Sequence, residues 1–172
     1  MQSFVERLIA SLADAGVEFV VVGGVSAVLH GAPVVTQDLD ISYRRHPDNV
    51  RRLAKALAPF HPQLRGLPPG LPCDIDEHAL TMGTNFTLDL AGEPLDLLAE
   101  MSGIGGYDQI IANAEEMDVA GKRVKVLALA DLIRTKRAAG RPKDLAVLPV
   151  LEATLDMILR ARGEGTPSSG AV

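Results

Sequence analysis

Val20-Val21-Val22-Gly23-Gly24-Val25-Ser26, followed by Thr36-Gln37-Asp38-Leu39-Asp40-Ile41, is the stretch from which the rest of the chain can be read. A β-branched run ending in Gly-Gly reads as a buried strand entering a tight turn, where glycine lets the backbone bend and lets a ligand come close. A short helix after such a turn presents free N–H groups and a positive dipole end, which suits phosphate. Asp38 and Asp40 then sit at i and i+2 of a second strand. Their side chains share one face, with Cα atoms about 6.5–7 Å apart, while Leu39 and Ile41 point into a core. Two oxygen donors on one face are what hard divalent ions require. The plainer alternative is an edge strand decorated with solvated carboxylates. Against it, Asp is disfavoured in strands, and like charges on one face repel unless a cation offsets them.

Around this stretch the composition is that of an ordinary globular chain. It has 172 residues, 47% hydrophobic and 23% charged, which excludes a mainly disordered chain, a collagen-like repeat and a coiled coil. Aromatics are only 3%, so the core is aliphatic and a multi-aromatic stacking platform for single-stranded nucleic acid is excluded. A single cysteine, Cys73, rules out a disulfide framework and a thiolate metal cluster. No signal peptide or membrane-spanning run is visible, and the expected location is cytoplasmic, with no membrane partner. The net charge of −5 is unevenly spread: residues 66–121 hold eleven acidic residues and no Lys or Arg, whereas 122–172 hold ten basic and five acidic. The acidic middle calls for cations, and the basic end is able to clamp phosphate; two solvated faces of opposite sign are the competing explanation.

Outward from the Gly-Gly turn, hydrophobic periodicity and breakers predict the other elements. Ser3 and Glu6 have capping-box spacing ahead of a helix over 4–15. Pro47 opens a helix with Val50, Leu53, Ala54 and Leu57 on one face. Five prolines over 59–72 make a long loop. Hairpins are expected around Ala91-Gly92 and Gly121, and helices over 107–114, over 129–138 with Gly140 as stop, and from Pro142 to about Arg160. Pro149 should kink or split the last of these. The fold class is therefore α/β (α+β), a mixed β-sheet flanked by helices. Residues 1–162 form one domain, and 163–172 a disordered tail.

The signature of the opening stretch resembles the DNA polymerase β-type nucleotidyltransferase superfamily. There, a hydrophobic-Gly-Gly/Ser turn, a short helix and an acidic-hydrophobic-acidic-hydrophobic strand recur. Thirteen residues separate Gly24 from Asp38, and Gly24 replaces the commoner Ser, leaving backbone N–H groups and Ser26 to serve phosphate. The resemblance implies two divalent ions, Mg²⁺ or Mn²⁺, held by Asp38, Asp40 and a third carboxylate on a neighbouring strand. Asp96 in Pro94-Leu95-Asp96-Leu97-Leu98 is the first choice and Asp89 the competitor.

A second cluster, residues 129–145, alternates Asp131, Arg134, Lys136, Arg137, Arg141, Lys143 and Asp144 with apolar residues. Alone it reads as a helix pair laced with surface ion pairs. It is also similar to the Arg-x-Lys-Asp-Leu region of small bacterial nucleotidyltransferase-like proteins related to AbiEii-type toxins of type IV toxin–antitoxin systems. That similarity implies phosphate contacts by Lys136, then Arg141 and Lys143, with Asp144 orienting one of them. Lys136 is expected to be exposed and to contribute little to stability.

The implied activity is transfer of an NMP from an NTP to an acceptor hydroxyl on protein or RNA, in an enzyme that is one component of a toxin–antitoxin pair. Gly23, Gly24 and Ser26 would cradle phosphate. The alternatives are a catalytically silent nucleotidyltransferase-fold partner of another protein, or an antitoxin that adenylylates its toxin. The four histidines have no metal spacing, and no dinucleotide fingerprint or phosphate loop occurs. Arg44, Arg45, Arg51 and Arg52 are either a basic rim beside the site or solvated helix residues.

Overall fold

The computed structural model describes residues 2–68, 71 and 74–164. Helix α1 (Phe4–Asp14) starts on the Ser3/Glu6 capping box and leads into β1 (Phe19–Val22), which is buried throughout. Helix α2 (Gly23–Leu29) begins directly at Gly-Gly, whose first glycine has φ +62°. Strand β2 (Leu39–Tyr43) and helix α3 (Pro47–Leu57) follow. A 3₁₀ turn (Ala58–Phe60) and a two-residue strand β3 (Gln63–Leu64) give the proline-rich loop more structure than its composition announces. Helix α4 (Glu77–Met82), capped by Asp76, precedes the hairpin β4 (Asn85–Leu90) and β5 (Glu93–Leu98). A small ribbon, β6 (Glu100–Met101) and β7 (Gly105–Gly106), leads to α5 (Tyr107–Ala112). The second hairpin, β8 (Glu115–Val119) and β9 (Lys122–Val126), is followed by α6 (Leu129–Ala139) and α7 (Pro142–Ala161).

Seven strands form one mixed sheet in the order β3-β4-β5-β2-β1-β9-β8. β1 runs antiparallel to β2 and parallel to β9, and β2 runs parallel to β5. Strand alternation divides the apolar residues between two layers. Val21, Leu39, Ile41, Leu95 and Leu97 pack with α1 and α3 on one face. Val20 and Val22 pack with Leu127, Leu129, Leu132 and Leu151 on the other. The sheet is thus covered on both sides, and the carboxylates of Asp40 and Asp96 belong to the α6 side.

Two expectations need correction. Asp38 is not inside the second strand; β2 begins one residue later. On one side β1 has already turned into α2, and on the other the next residue in register is Pro94, which has no N–H to give. Pro149 does not split the last helix, which is helical from Pro142 to Ala161. Pro149 and Leu145, the residue whose carbonyl loses its partner, are both exposed, so water can take up that carbonyl. The expected tail lies, from residue 165 on, outside the described residues, as do residues 69, 70, 72 and 73 of the proline-rich loop. No helix among the described residues is long and apolar enough to cross a membrane.

Candidate active site

Register brings the site together. Val22 pairs with Asp40, and Asp40 pairs with Asp96, so one row crosses three strands at the point where β1 turns into α2. Leu39, Ile41, Leu95 and Leu97 are fully buried on the opposite face, which forces both carboxylates to the α6 side. Adjacent strands lie about 4.8 Å apart, so the two side chains are immediate neighbours. Asp38, two residues before Asp40, joins them from the connecting segment. Asp89, the competitor for the third position, sits at the far end of the hairpin, where its Oδ1 accepts the Gly92 N–H at 2.8 Å.

The glycines are there for space. A Cβ on Gly23 would stand 2.1 Å from Asp40 Oδ2, and one on Gly24 would stand 2.6 Å from Thr36 Oγ1. Ser26 does not face the cleft: it is fully buried, and its hydroxyl donates to the Gly23 carbonyl at 2.7 Å, bracing the turn. Its expected contact with phosphate is therefore corrected to a structural bond.

Burial first, then the charges of Asp96 and Asp38, push the Asp40 carboxyl up to about 6; Lys136 and the Gly24 N–H oppose this only in part. Burial likewise holds Asp96 above the ordinary carboxylate range, with Arg65 pulling down and Asp38 pushing up. Three crowded carboxylates, two of them reluctant to ionise, are a donor set that fits a divalent cation. Among the described residues, however, no three His, Cys, Asp or Glu side chains are already gathered as a metal ligand set. A protein cation stands among them instead. Arg65 Nη2 donates to Asp96 Oδ1 at 2.9 Å, and its Nη1 lies 3.7 Å from Asp38 Oδ2.

Arg65 was missed by the sequence reading. The available signal was its isolation: it is the only Lys or Arg between Lys55 and Lys122.

The basic cluster supplies the opposite wall. Lys136 Nζ donates to Asp144 Oδ1 at 2.7 Å, and Arg141 Nε donates to Asp144 Oδ2. The Asp144 side chain is fully buried and that of Lys136 is 24% exposed, so Lys136 is not the free surface residue expected. Burial would raise Asp144, but the hydrogen bonds from Lys136 and Arg141 prevail and hold it below the ordinary range. Lys143 lies on the same wall. Arg44, Arg51 and Arg52 pair with Glu18, Asp48 and Glu18, and Arg45 donates to the carbonyls of Thr81 and Gly83.

A cleft of about 560 Å³ is lined by Gly24, Thr36, Asp38, Asp40, Asp96, Lys136, Arg141 and Lys143. A second, of about 370 Å³, shares Asp40, Lys136 and Arg141 and adds Gly23, Glu100, Ser102, Thr135 and Asp144. Acidic and basic walls thus face each other across both. A slightly larger hollow of about 590 Å³ under the proline-rich loop is bounded by Pro62, Leu67, Pro68 and Leu71, away from this chemistry.

No protein-family model matches the chain, and no curated protein does. Solved structures do. ANT(2'')-Ia in complex with adenylyl-2''-tobramycin superposes with a TM-score of 0.56 at 14% identity, over 92% of this chain and 93% of that one. A solution structure of ANT(2'')-Ia, there called an antibiotic-resistance factor, gives the same TM-score over 92% and 88%. TM1012 from Thermotoga maritima, a candidate nucleotidyltransferase, gives 0.55 at 18% identity over 91% and 92%. At such identities the likeness is one of architecture, and that architecture, the seven-stranded mixed sheet with its flanking helices, is the nucleotidyltransferase fold.

Proposed function

We propose that the chain is a metal-dependent nucleotidyltransferase, with residues 1–162 as one catalytic unit. In the reaction the acceptor oxygen forms a bond to the α-phosphorus of an NTP, the bridge to the β-phosphate breaks, and pyrophosphate leaves. The observation that carries this reading is the in-register pair Asp40 and Asp96 beneath the Gly23 turn. Asp38, Asp40 and Asp96 would hold the metal. When bound, Mg²⁺ or Mn²⁺ neutralises phosphate charge and makes the acceptor hydroxyl more acidic. Asp40, directly beneath the Gly23 turn, would be the carboxylate placed to take the acceptor proton. Gly23 and Gly24 leave room for the phosphates. Lys136 and Arg141, held by Asp144, and Lys143 beside them face the charge that develops on the leaving group.

The finer role, one component of a toxin–antitoxin pair acting on protein or RNA, rests on the resemblance of residues 129–145 to AbiEii-type proteins. The fold shared with ANT(2'')-Ia adds a small hydroxylated molecule as a third acceptor class. The rival reading is a catalytically silent partner protein; Arg65 between Asp38 and Asp96 favours it. Incubation with each α-labelled NTP, Mg²⁺ and cell extract separates the two. Transfer of label with pyrophosphate release, lost in Asp40→Asn and Asp96→Asn, supports catalysis. No transfer to any protein, RNA or small-molecule fraction overturns it.

A further inference from the structure

Arg65 has an unusual setting for a surface arginine. Its Nη2 donates both to Asp96 Oδ1 at 2.9 Å and to the Leu88 carbonyl at 3.1 Å, while Nη1 faces Asp38 at 3.7 Å. Its own N–H donates to the Thr87 carbonyl at 2.8 Å, and Thr87 is the residue paired with Asp96. The side chain is nevertheless 37% exposed, and it hangs from a strand of only two residues, next to Gly66 at φ +85°. The guanidinium is therefore well bonded but weakly tethered.

We propose that Arg65 is an exchangeable stand-in for the divalent ion: it neutralises Asp38 and Asp96 in the unloaded site, and a metal ion enters only by displacing it. This rests on the reading of Asp38, Asp40 and Asp96 as the metal ligands.

The chemistry supports exchange rather than permanent pairing. A guanidinium cannot shed its charge in a protein, so it yields the carboxylates only by moving. It brings one positive charge to three carboxyl groups and contacts two of them, and among the described residues no cation is directly bonded to Asp40. A small divalent ion brings twice the charge and takes oxygens from several sides. Lys136, Arg141 and Lys143 line the same cleft, but among the described residues Arg65 is the cation paired directly with Asp38 and Asp96. Competition for shared anions lowers the apparent affinity of each cation, as any coupled equilibrium does.

The test is the affinity for Mn²⁺ alone, measured by calorimetry and by loss of the free-ion electron spin resonance signal, in wild type, Arg65→Gln, Arg65→Lys and Asp96→Asn. Melting in EDTA establishes that each variant is folded. Arg65→Gln should bind Mn²⁺ about tenfold more tightly than wild type, the scale of removing one charge-assisted carboxylate contact. Arg65→Lys, which keeps a cation, should stay nearer to wild type. A purely structural Arg65 would give equal or weaker binding in the Gln variant. In wild type, the Arg65 side-chain nitrogen resonances should shift as Mg²⁺ is added, which needs no variant. Equal Mn²⁺ affinity in wild type and Arg65→Gln, with binding lost in Asp96→Asn, overturns the exchange but leaves the metal site standing. No Mn²⁺ binding by wild type or Arg65→Gln overturns the metal site and the exchange together.

Discussion

Asp40 on β2 and Asp96 on β5 are direct partners in a parallel pair, carboxylate beside carboxylate on one face of the sheet. Like charges so placed cost stability, and nothing in the core requires them, because Leu39, Ile41, Leu95 and Leu97 fill the other face. On the proposed reading, a cation held between the two would offset that cost.

Mg²⁺ or Mn²⁺ should raise the melting temperature by mass action on the folded state. Replacing Asp38 and Asp40 together by Asn should abolish the rise. Thermal melts with and without metal decide this, and a double variant that responds as wild type does would place the metal elsewhere.

Asp40 also sets a pH dependence. Its folded-state pKa of about 6 lies above the ordinary 3.8, so the folded protein binds the extra proton. The stability this contributes is fully present below about pH 3.8 and lost as the pH rises through about 6. In EDTA, Asp40→Asn should therefore be more stable than wild type above pH 6, and the gap should close toward pH 4. Urea melts across that range check the sign.

Lys136→Ala should lower NTP-dependent turnover by about 10²-fold, the scale of losing one preorganised charge. It should also cost about 2–4 kcal/mol of stability, because Asp144 loses one of its two partners inside the protein. Adding Asp144→Asn should restore part of the stability but none of the activity. Denaturant melts and NTP titrations of the single and double variants separate the two losses.

Gly23→Ala should destroy the site. The position has φ +62°, and the new Cβ would fall 2.1 Å from Asp40 Oδ2. Gly92→Ala is the control, since its φ of +94° is strained too but its Cβ meets nothing within 4 Å. Both variants should lose stability, and only Gly23→Ala should lose the thermal response to Mg²⁺.

Local chemistry was what the sequence could express. The Val20–Gly24 run, the Asp38/Asp40 spacing and the alternation around Asp96 each encode their own strand or turn, and pairing then follows from burying Leu39, Ile41, Leu95 and Leu97. Isolation marked Arg65 in the sequence, but its place beside Asp96 depends on β3, two residues whose register against β4 no periodicity can announce. Asp144 was expected to orient one basic residue, and it holds two, Lys136 and Arg141. Only the packing of α6 against α7 encloses it, and that packing turns Lys136 from a surface residue into a buried partner's counter-charge. Pro149 misled because a breaker is judged by the carbonyl it orphans, and here that carbonyl is on the wet side.

The alternation of Leu95, Asp96 and Leu97 has a consequence for how the molecule assembles. A slip of β5 by one position along β2 would turn Asp96 into the apolar layer and both leucines toward the cleft. A chain that misplaces its carboxylate thus also loses its core and fails to reach a stable fold. Folding therefore proofreads the site against one-residue slips, because the error that turns Asp96 away from Asp40 also empties the core.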